Sequence, residues 1–160
     1  MAALQEIEMF AGVGPDGQPV MEKLAARELE SGNLQLVRSP AFVKGVASGD
    51  WLKRDPETKE VTLVQRSGNL SIRVFSREHI GAIAEQLTPA LEQLGGELDI
   101  HNERMLVYSI HVSCGFDTIE KLLNAAVTGK RDSAWVYGNV YDPTDGTTPL
   151  NWWQSVLAPE

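Results

Sequence analysis

The second half of the chain places two helical hydrophobic patterns among four strand patterns, in an order that few folds accommodate. Strand patterns lie at residues 70–75, 97–100, 105–112 and 134–141, and helical patterns lie at about 79–94 and 118–127. The order strand-helix-strand-strand-helix-strand is typical of ferredoxin-like domains. It predicts a four-stranded antiparallel sheet of order 4-1-3-2 with both helices on one face. Many unrelated activities use this layout, so the order predicts a fold and leaves the function open.

The first half contains shorter strand patterns that turn residues such as Pro15-Asp16-Gly17 separate. These patterns cover residues 6–13, 20–29, 34–39, 51–54 and 61–66. Several short strands spaced by turns predict a small antiparallel barrel or a curled sheet. Residues 20–29 also fit one face of a helix, but the turns on both sides favour a strand.

A glycine pattern from Gly12 to Gly17 matches the loop of dinucleotide-binding proteins. That fingerprint requires a helix to follow within a parallel strand-helix-strand unit. Because Pro15-Asp16-Gly17 is typical of a turn and no such unit follows, we interpret the pattern as a hairpin.

Together these patterns predict an α+β protein in three parts. A small β-barrel-like module covers residues 1–66, a ferredoxin-like module covers residues 67–142, and a tail covers residues 143–160. The two modules should pack together, because the boundary at residues 66–69 is too short for a flexible linker. We expect the tail to dock through Trp152 and Trp153, since two adjacent tryptophans are costly to expose.

The helix ends carry two specific signals. Pro89 lies inside the first helical pattern and should kink or interrupt that helix near Thr88, because proline lacks an amide proton. Asp117 precedes the second pattern with Glu120 three residues later, which predicts that Asp117 caps the helix.

The chain is acidic, with a net charge of −8, and the acidity is concentrated in its second half. Residues 1–66 hold 8 basic and 10 acidic side chains, whereas residues 67–160 hold 6 and 12. Nucleic acids are bound mainly through lysine and arginine, so this charge disfavours a nucleic-acid partner. It favours a protein partner with a basic surface, or a cationic ligand.

The cellular setting follows from a few absences in the sequence. Cys114 is the only cysteine, so no disulfide within the chain is possible. The amino-terminal residues lack the basic and apolar regions of a signal peptide, and no apolar run approaches the about 20 residues of a membrane helix. We therefore expect a cytoplasmic protein without a membrane anchor.

Alternation along the predicted second sheet assigns an aromatic surface to the face opposite the helices. That face would hold Arg73, Phe75, Val107, His111, Trp135, Tyr137 and Tyr141. So large an apolar face needs cover, which the first module, the tail, a second copy of the chain or a ligand could supply. RNA-recognition domains stack bases on the same face, but the basic residues that accompany stacking are scarce here.

His111, Cys114 and Asp117 are the nearest approach to a catalytic cluster. A thiol near a helix amino terminus can be nucleophilic, although a lone cysteine commonly packs as a small apolar residue. We interpret all three as structural. The three histidines and one cysteine lack the spacing of a metal site, so we expect neither a metal nor another cofactor.

Three segments together form one further pattern: residues 20–25, residues 39–50 with Pro40, Phe42 and Gly49-Asp50, and residues 66–74. Together they resemble a bacterial family of domains of unknown function, number 4265, and the first segment has alanine where that family commonly has an aromatic residue. Asn69 and Ser71 stand where the family commonly has histidine and threonine. The resemblance covers about residues 15–140 and implies no activity, since the family is named for lacking one.

Three functional hypotheses remain open. The first is a non-catalytic protein-interaction module, of the adaptor or immunity-like kind, in which self-association is also possible. The second is a ligand-sensing module with a small molecule between the two halves. The third is an enzyme that uses His111, Cys114 and Asp117. The residues predicted to bind a ligand or partner are Arg66, Ser67, Asn69, Arg73, Phe75, Trp135 and Tyr137.

Overall fold

A computed structural model describes residues 4–157 as two antiparallel sheets and three α-helices, an α+β fold. The predicted fold class is therefore confirmed at the level of α+β. The described helices are α1 (Ile80–Glu92), α2 (Phe116–Val127) and α3 (Trp153–Leu157), and a 3-10 helix spans Val112–Cys114. The strands are β1 (Leu4–Val13), β2 (Pro19–Glu28), β3 (Leu34–Leu36), β4 (Trp51–Arg54), β5 (Val61–Gln65), β6 (Asn69–Ser76), β7 (Glu97–His101), β8 (Met105–His111) and β9 (Ser133–Tyr137).

The first sheet is a meander in which β1 to β5 lie side by side in chain order. The ambiguous segment 20–29 belongs to strand β2, as the flanking turns indicated, and the Gly12–Gly17 pattern forms the end of the β1–β2 hairpin. A register shift between Phe10 and Gly12 marks a bulge in β1. The inner face holds a core of Ile7, Leu24, Leu36, Leu52 and their neighbours.

The prediction of a barrel-like module is corrected, because within residues 4–157 the first sheet does not close. β1 and β5 are its two edges and do not pair with each other. The sheet is nevertheless curled, since Arg54 on β4 donates a hydrogen bond of 3.1 Å to the side-chain oxygen of Gln5 on β1. β3 has only three residues and pairs with only three residues of β2. So short a central strand forms too few hydrogen bonds to support a closed barrel.

The second sheet has the strand order β7-β8-β6-β9, which is the order expected from the sequence. Both long helices pack on one of its faces. Ile83 and Leu87 of α1 and Ile119 and Leu123 of α2 share one buried core with Ile72 and other side chains of the central strands. The division at residues 66 and 142 stays a prediction.

Pro89 does not interrupt helix α1, which continues to Glu92 and so has the proline in its last turn. Two predictions about the ends of elements are wrong. Helix α2 begins at Phe116 with Gly115 before it, so Asp117 lies in the first turn and is not the cap. The last strand ends at Tyr137 instead of residue 141.

The predicted aromatic face is also wrong for strand β9. β9 pairs with β6 so that Tyr137 lies opposite Ile72 and Trp135 opposite Val74, both on the helix side of the sheet. The Trp135 indole N–H donates to Asn124 at 2.8 Å, and the Tyr137 hydroxyl donates to Glu120 at 3.0 Å, both on α2. Val136 takes the outer face instead, where it is 47% exposed. The tryptophan and tyrosine therefore need no further cover.

The outer face of the second sheet is covered by the segment between β3 and β4. This segment, residues 37–50, is called here the bridging loop. Its Val43 and Val46 pack in the core of the first sheet, whereas Ser39 and Gly45 form hydrogen bonds to residues of the second half. The first half thus reaches the outer face of the second sheet through a loop and not through its strands.

The last described residues contact the body of the protein. Trp152 and Trp153 pack against the core of the second sheet, and the Trp152 indole N–H donates to the carbonyl oxygen of Asn139 at 2.9 Å. Within residues 4–157, no helix combines the length and the apolar character needed to cross a membrane.

We expect the substitution Leu123→Ala to lower the free energy of unfolding by about 2–5 kcal/mol, because Leu123 is fully buried and its removal leaves a cavity. The control is Leu157→Ala, at a position 46% exposed on α3. The control should change stability by less than about 0.5 kcal/mol. Urea unfolding measures both variants, and equal losses would contradict this description of the core.

Candidate functional site

Two oppositely charged side chains form hydrogen bonds to the middle of the bridging loop, residues 41–43. The carboxylate of Glu22 on β2 accepts hydrogen bonds from three consecutive backbone amides, those of Ala41, Phe42 and Val43, at 2.8–2.9 Å. From the other side, the guanidinium of Arg73 on β6 donates to the carbonyl oxygens of Phe42 and Val43. The loop therefore satisfies its buried peptide groups with side chains, because it has no strand partner there.

Asp50 anchors the end of the same loop. Its carboxylate is fully buried and accepts hydrogen bonds from the amides of Ala47 at 2.9 Å and Ser67 at 2.8 Å. Burial raises the pKa of Asp50, and the two amides, the Ser67 hydroxyl and the charge of Arg66 oppose that rise. Sequence reasoning assigned Asp50 only to a turn. The family-like pattern around Gly49-Asp50 was the available signal for this larger role.

The predicted binding residues Arg66, Ser67 and Asn69 use their polar groups to tie the bridging loop to β6. Arg66 donates to the carbonyl oxygen of Gly45 at 2.9 Å. Ser67 and Asn69 both donate to the carbonyl oxygen of Ser48, at 2.7 and 2.9 Å. The guanidinium of Arg66 also lies 5.3 Å from the ring centre of Trp152, a cation–π contact.

A third polar tie joins the loop to the far strand of the second sheet. Asp99 on β7 accepts hydrogen bonds from the amide of Ser39 at 2.9 Å and from the hydroxyl of Ser109 at 2.5 Å. The hydroxyls of Ser39 and Ser109 are 2.6 Å apart. Burial raises the pKa of Asp99, and the hydrogen bonds only partly offset that rise.

A cleft of about 410 Å³ lies beside β9, which is an edge strand of the second sheet. Its volume falls in the range of about 300–1,000 Å³ that is usual for ligand sites. The cleft brings together three of the predicted binding residues, Arg73, Trp135 and Tyr137, and adds Lys44 from the bridging loop. Phe75, Arg66, Ser67 and Asn69 do not line it. Phe75 is 38% exposed on the outer face of β6.

Gly138 forms part of the wall of this cleft. Because glycine has no side chain, two buried polar atoms can pack directly against its backbone. A Cβ at this position would lie 2.6 Å from the hydroxyl oxygen of Ser71 and 3.1 Å from Nε of Arg73. Neither atom has a hydrogen-bond partner within residues 4–157. The backbone of Gly138 is held on both sides, because its amide donates to Ser71 and its carbonyl accepts from Gly45.

A row of aromatic rings runs from this cleft to the tail. The rings of Trp135 and Tyr137 are 5.0 Å apart, and Phe116 follows at 5.7 Å from Tyr137. Trp153 lies 5.2 Å from Phe116, and Trp152 lies 5.7 Å from Trp153. All four contacts are edge-to-face, a preferred geometry for aromatic pairs. The row joins helix α2, strand β9 and the tail in one packed surface. Burial raises the pKa of Tyr137, and the acceptor Glu120 raises it further.

The candidate catalytic residues are close in sequence but do not form a hydrogen-bonded set. His111 places Nδ1 2.8 Å from the hydroxyl of Ser113, and the thiol of Cys114 donates to the carbonyl of Leu94 at 3.2 Å. Asp117 lies in the first turn of α2. Among the described residues, no cluster of three or more histidine, cysteine, aspartate or glutamate side chains has the arrangement of a metal site.

The tip of the β1–β2 hairpin is an apolar surface that sequence reasoning missed. Phe10, Val13, Val20 and Met21 are 57%, 65%, 45% and 47% exposed. Phe10 lies directly opposite Met21, and Val13 pairs with Pro19 on the same face, so Phe10, Val13 and Met21 form one patch, called here the hairpin tip. Val20 lies on the other face of the hairpin, because side chains alternate along a strand. The sequence of β1 contained a signal for this patch. The outward-facing positions are acidic at Glu6 and Glu8 but aromatic at Phe10.

The fold and these sites define a two-sheet α+β protein whose halves meet through a buried polar loop. A family model described as "Domain of unknown function (DUF4265)" matches residues 22–135, and the chain belongs to this family. The resemblance seen in the sequence is thereby confirmed. A crystal structure of a hypothetical protein from Neisseria gonorrhoeae is similar, with a TM-score of 0.67 and 18% sequence identity. The match covers 86% of this chain and 94% of that one, and it shows the fold alone. A search of curated proteins finds no match.

We expect the stability contributed by Asp99 to fall as the pH rises. Because burial raises its pKa in the folded protein above the ordinary value of 3.8, the unfolded chain loses this proton first. Asp99→Asn keeps an oxygen that can accept both hydrogen bonds and removes the titration. The difference in unfolding free energy, wild type minus variant, should be constant at low pH and should decrease as the pH rises above about 3.8. Denaturant unfolding across that range measures it, and an increase would contradict the assignment.

We expect Gly138→Ala to destabilise the protein by about 1–3 kcal/mol, because the new methyl group would collide with Ser71 and Arg73. Adding Ser71→Ala should recover part of the loss, since the nearest colliding atom is then absent. The control is Gly81→Ala in helix α1, where nothing lies within 4 Å of the new Cβ. That control should stabilise by about 0.5–1 kcal/mol. Thermal and urea unfolding distinguish these outcomes, and a neutral Gly138→Ala would show that the wall is not tight.

Proposed function

We propose that this protein acts by binding another protein, and that the hairpin tip is its contact surface. The observation that carries the proposal is the exposure of three large apolar side chains, Phe10, Val13 and Met21, on one face of a paired hairpin. Contiguous apolar patches of this kind mark interaction sites more often than ordinary surface does. The role belongs to the broad class of adaptor or immunity-like proteins.

The hairpin is suited to this role because its other face is already fixed. Ile7 and Leu24 bury their side chains in the core of the first sheet, and Glu22 holds the bridging loop. The tip is therefore presented on a rigid support, which lowers the entropy cost of binding. Hot spots at protein interfaces are commonly such apolar and aromatic anchors.

Charge favours a basic partner. The net charge of the chain is −8, and the outward face of β1 next to the tip carries Glu6 and Glu8, with Lys23 of β2 directly opposite Glu8. A negative net charge increases the rate of association with a positively charged surface and weakens contact with nucleic acid. The expected interface thus has an apolar centre and a charged rim, and the net charge of the whole chain favours the basic partner.

The test compares two variants of the full-length chain by affinity purification from its native host. We expect Phe10→Ser with Met21→Ser to lose the partner, because both anchors are removed without disturbing the core. Val64→Ser is the matched control, since Val64 is 48% exposed on β5, outside the tip. The control should retain the partner, and rising salt should weaken the wild-type complex.

Two results complete this experiment. Both variants should unfold within about 0.5 kcal/mol of the wild type, which excludes a folding defect. Light scattering of the purified wild type determines whether the partner is a second copy of the chain. Equal recovery of the same partner with tip and control variants would reject the hairpin tip as the contact surface.

A second candidate function is the binding of a small molecule, and the cleft beside β9 favours it. Of the residues hypothesised to bind a ligand between the two halves, Arg66, Ser67 and Asn69 already form hydrogen bonds to the bridging loop. We therefore place the proposed ligand in the cleft beside β9. The third hypothesis, an enzyme that uses His111, Cys114 and Asp117, gains no support from the contacts that these residues make.

A further inference from the structure

The wall of the cleft contains a positive charge that the fold buries without a carboxylate in contact. Arg73 is 5% exposed, and the hydrogen bonds it donates within residues 4–157 end on the backbone carbonyls of Phe42 and Val43. The nearby carboxylate of Glu22 accepts hydrogen bonds from three backbone amides and makes no hydrogen bond to Arg73. Its negative charge acts on Arg73 through space and offsets part of the positive potential in the cleft.

Lys44 adds a second positive charge to the same space. It lines the cleft from the bridging loop, and its side chain is exposed to solvent. Arg73 and Lys44 therefore approach the cleft from β6 and from the loop that covers it. Two cations that converge on one concave site favour an anionic group such as a carboxylate.

The remaining walls limit the rest of the ligand. Trp135, Tyr137 and Tyr141 line the cleft and provide apolar ring surface. Glu120 and Asp142 also line it and oppose the two positive side chains, so each further negative charge on a ligand adds repulsion. The combination selects a single negative charge on an apolar body.

We propose that the cleft beside β9 binds a small aromatic monocarboxylate, with the carboxylate next to Lys44 and Arg73 and the ring against the aromatic walls. This inference rests on the second candidate function, small-molecule binding, and is independent of the hairpin tip. Its volume of about 410 Å³ accommodates a molecule of this size.

The test is a titration of the full-length protein with 3-phenylpropionate, followed by amide chemical shifts in nuclear magnetic resonance. We expect saturable shifts at Lys44, Gly138 and Gly146, and much smaller shifts with the neutral analogue 3-phenylpropionamide. Lys44→Glu should weaken binding by about fivefold or more, because it replaces an attraction by a repulsion. Lys53→Glu on β4 makes the same change of net charge away from the cleft, and it should bind as the wild type does.

Four results would contradict the proposal. They are equal binding of 3-phenylpropionamide, equal weakening of binding by the two lysine variants, chemical-shift changes confined to another surface, and no saturable binding up to about 20 mM. Because Lys44 is exposed, Lys44→Glu should remain folded, which thermal unfolding checks. The variant Phe10→Ser with Met21→Ser should bind 3-phenylpropionate normally, so failure of this inference is distinguishable from failure of the proposed protein contact.

Discussion

The two halves of this protein depend on a loop that is buried without being a strand. Backbone groups inside a protein must form hydrogen bonds, and outside a sheet or helix side chains provide many of them. Glu22 and Asp50 accept from the bridging loop, and Arg73 and Arg66 donate to it. None of these charged groups is easily replaced by an apolar residue of similar size, because the buried amides and carbonyl groups that it bonds would lose their partners. The joint between the halves is therefore polar at its centre, and the two apolar cores lie on either side of it.

Features of the fold were predictable from the sequence when neighbouring residues determine them, and were not predictable when contacts between distant residues determine them. The strand order of the second sheet was predictable because helices and strands each leave their own period in the residues that form them. The face of β9 was not, since Trp135, Val136 and Tyr137 are all apolar and contain no polar residue that marks a solvent side. Its orientation is set by pairing with β6, which is distant in sequence. A period of two cannot by itself say which set of residues faces inward.

The candidate sites were predictable to a smaller extent. Arg73 was identified because it occurs in a family-like segment, but its partners are carbonyl groups of residues thirty positions earlier, which no spacing could indicate. The role of Glu22 was missed, because a glutamate in a strand is ordinarily a solvent-facing residue. The hairpin tip was missed because the strand pattern of residues 6–13 does not show by itself which of its apolar residues stay exposed. In each case tertiary contacts override the usual preference of the residue type.

The contacts of the bridging loop also determine the order in which this chain can complete its folding. Ser39 meets Asp99 and Ser109, and Gly45 meets Gly138, so the loop joins partners separated by 60 to 93 positions in the chain. Contacts between distant positions must offset a large loss of chain entropy before they stabilise anything, and they form late. As the chain leaves the ribosome, the meander of β1 to β5 can form while its bridging loop still lacks the strands of the second half. Until the strands of the second half have left the ribosome, the loop groups that later join the halves lack those partners and face water.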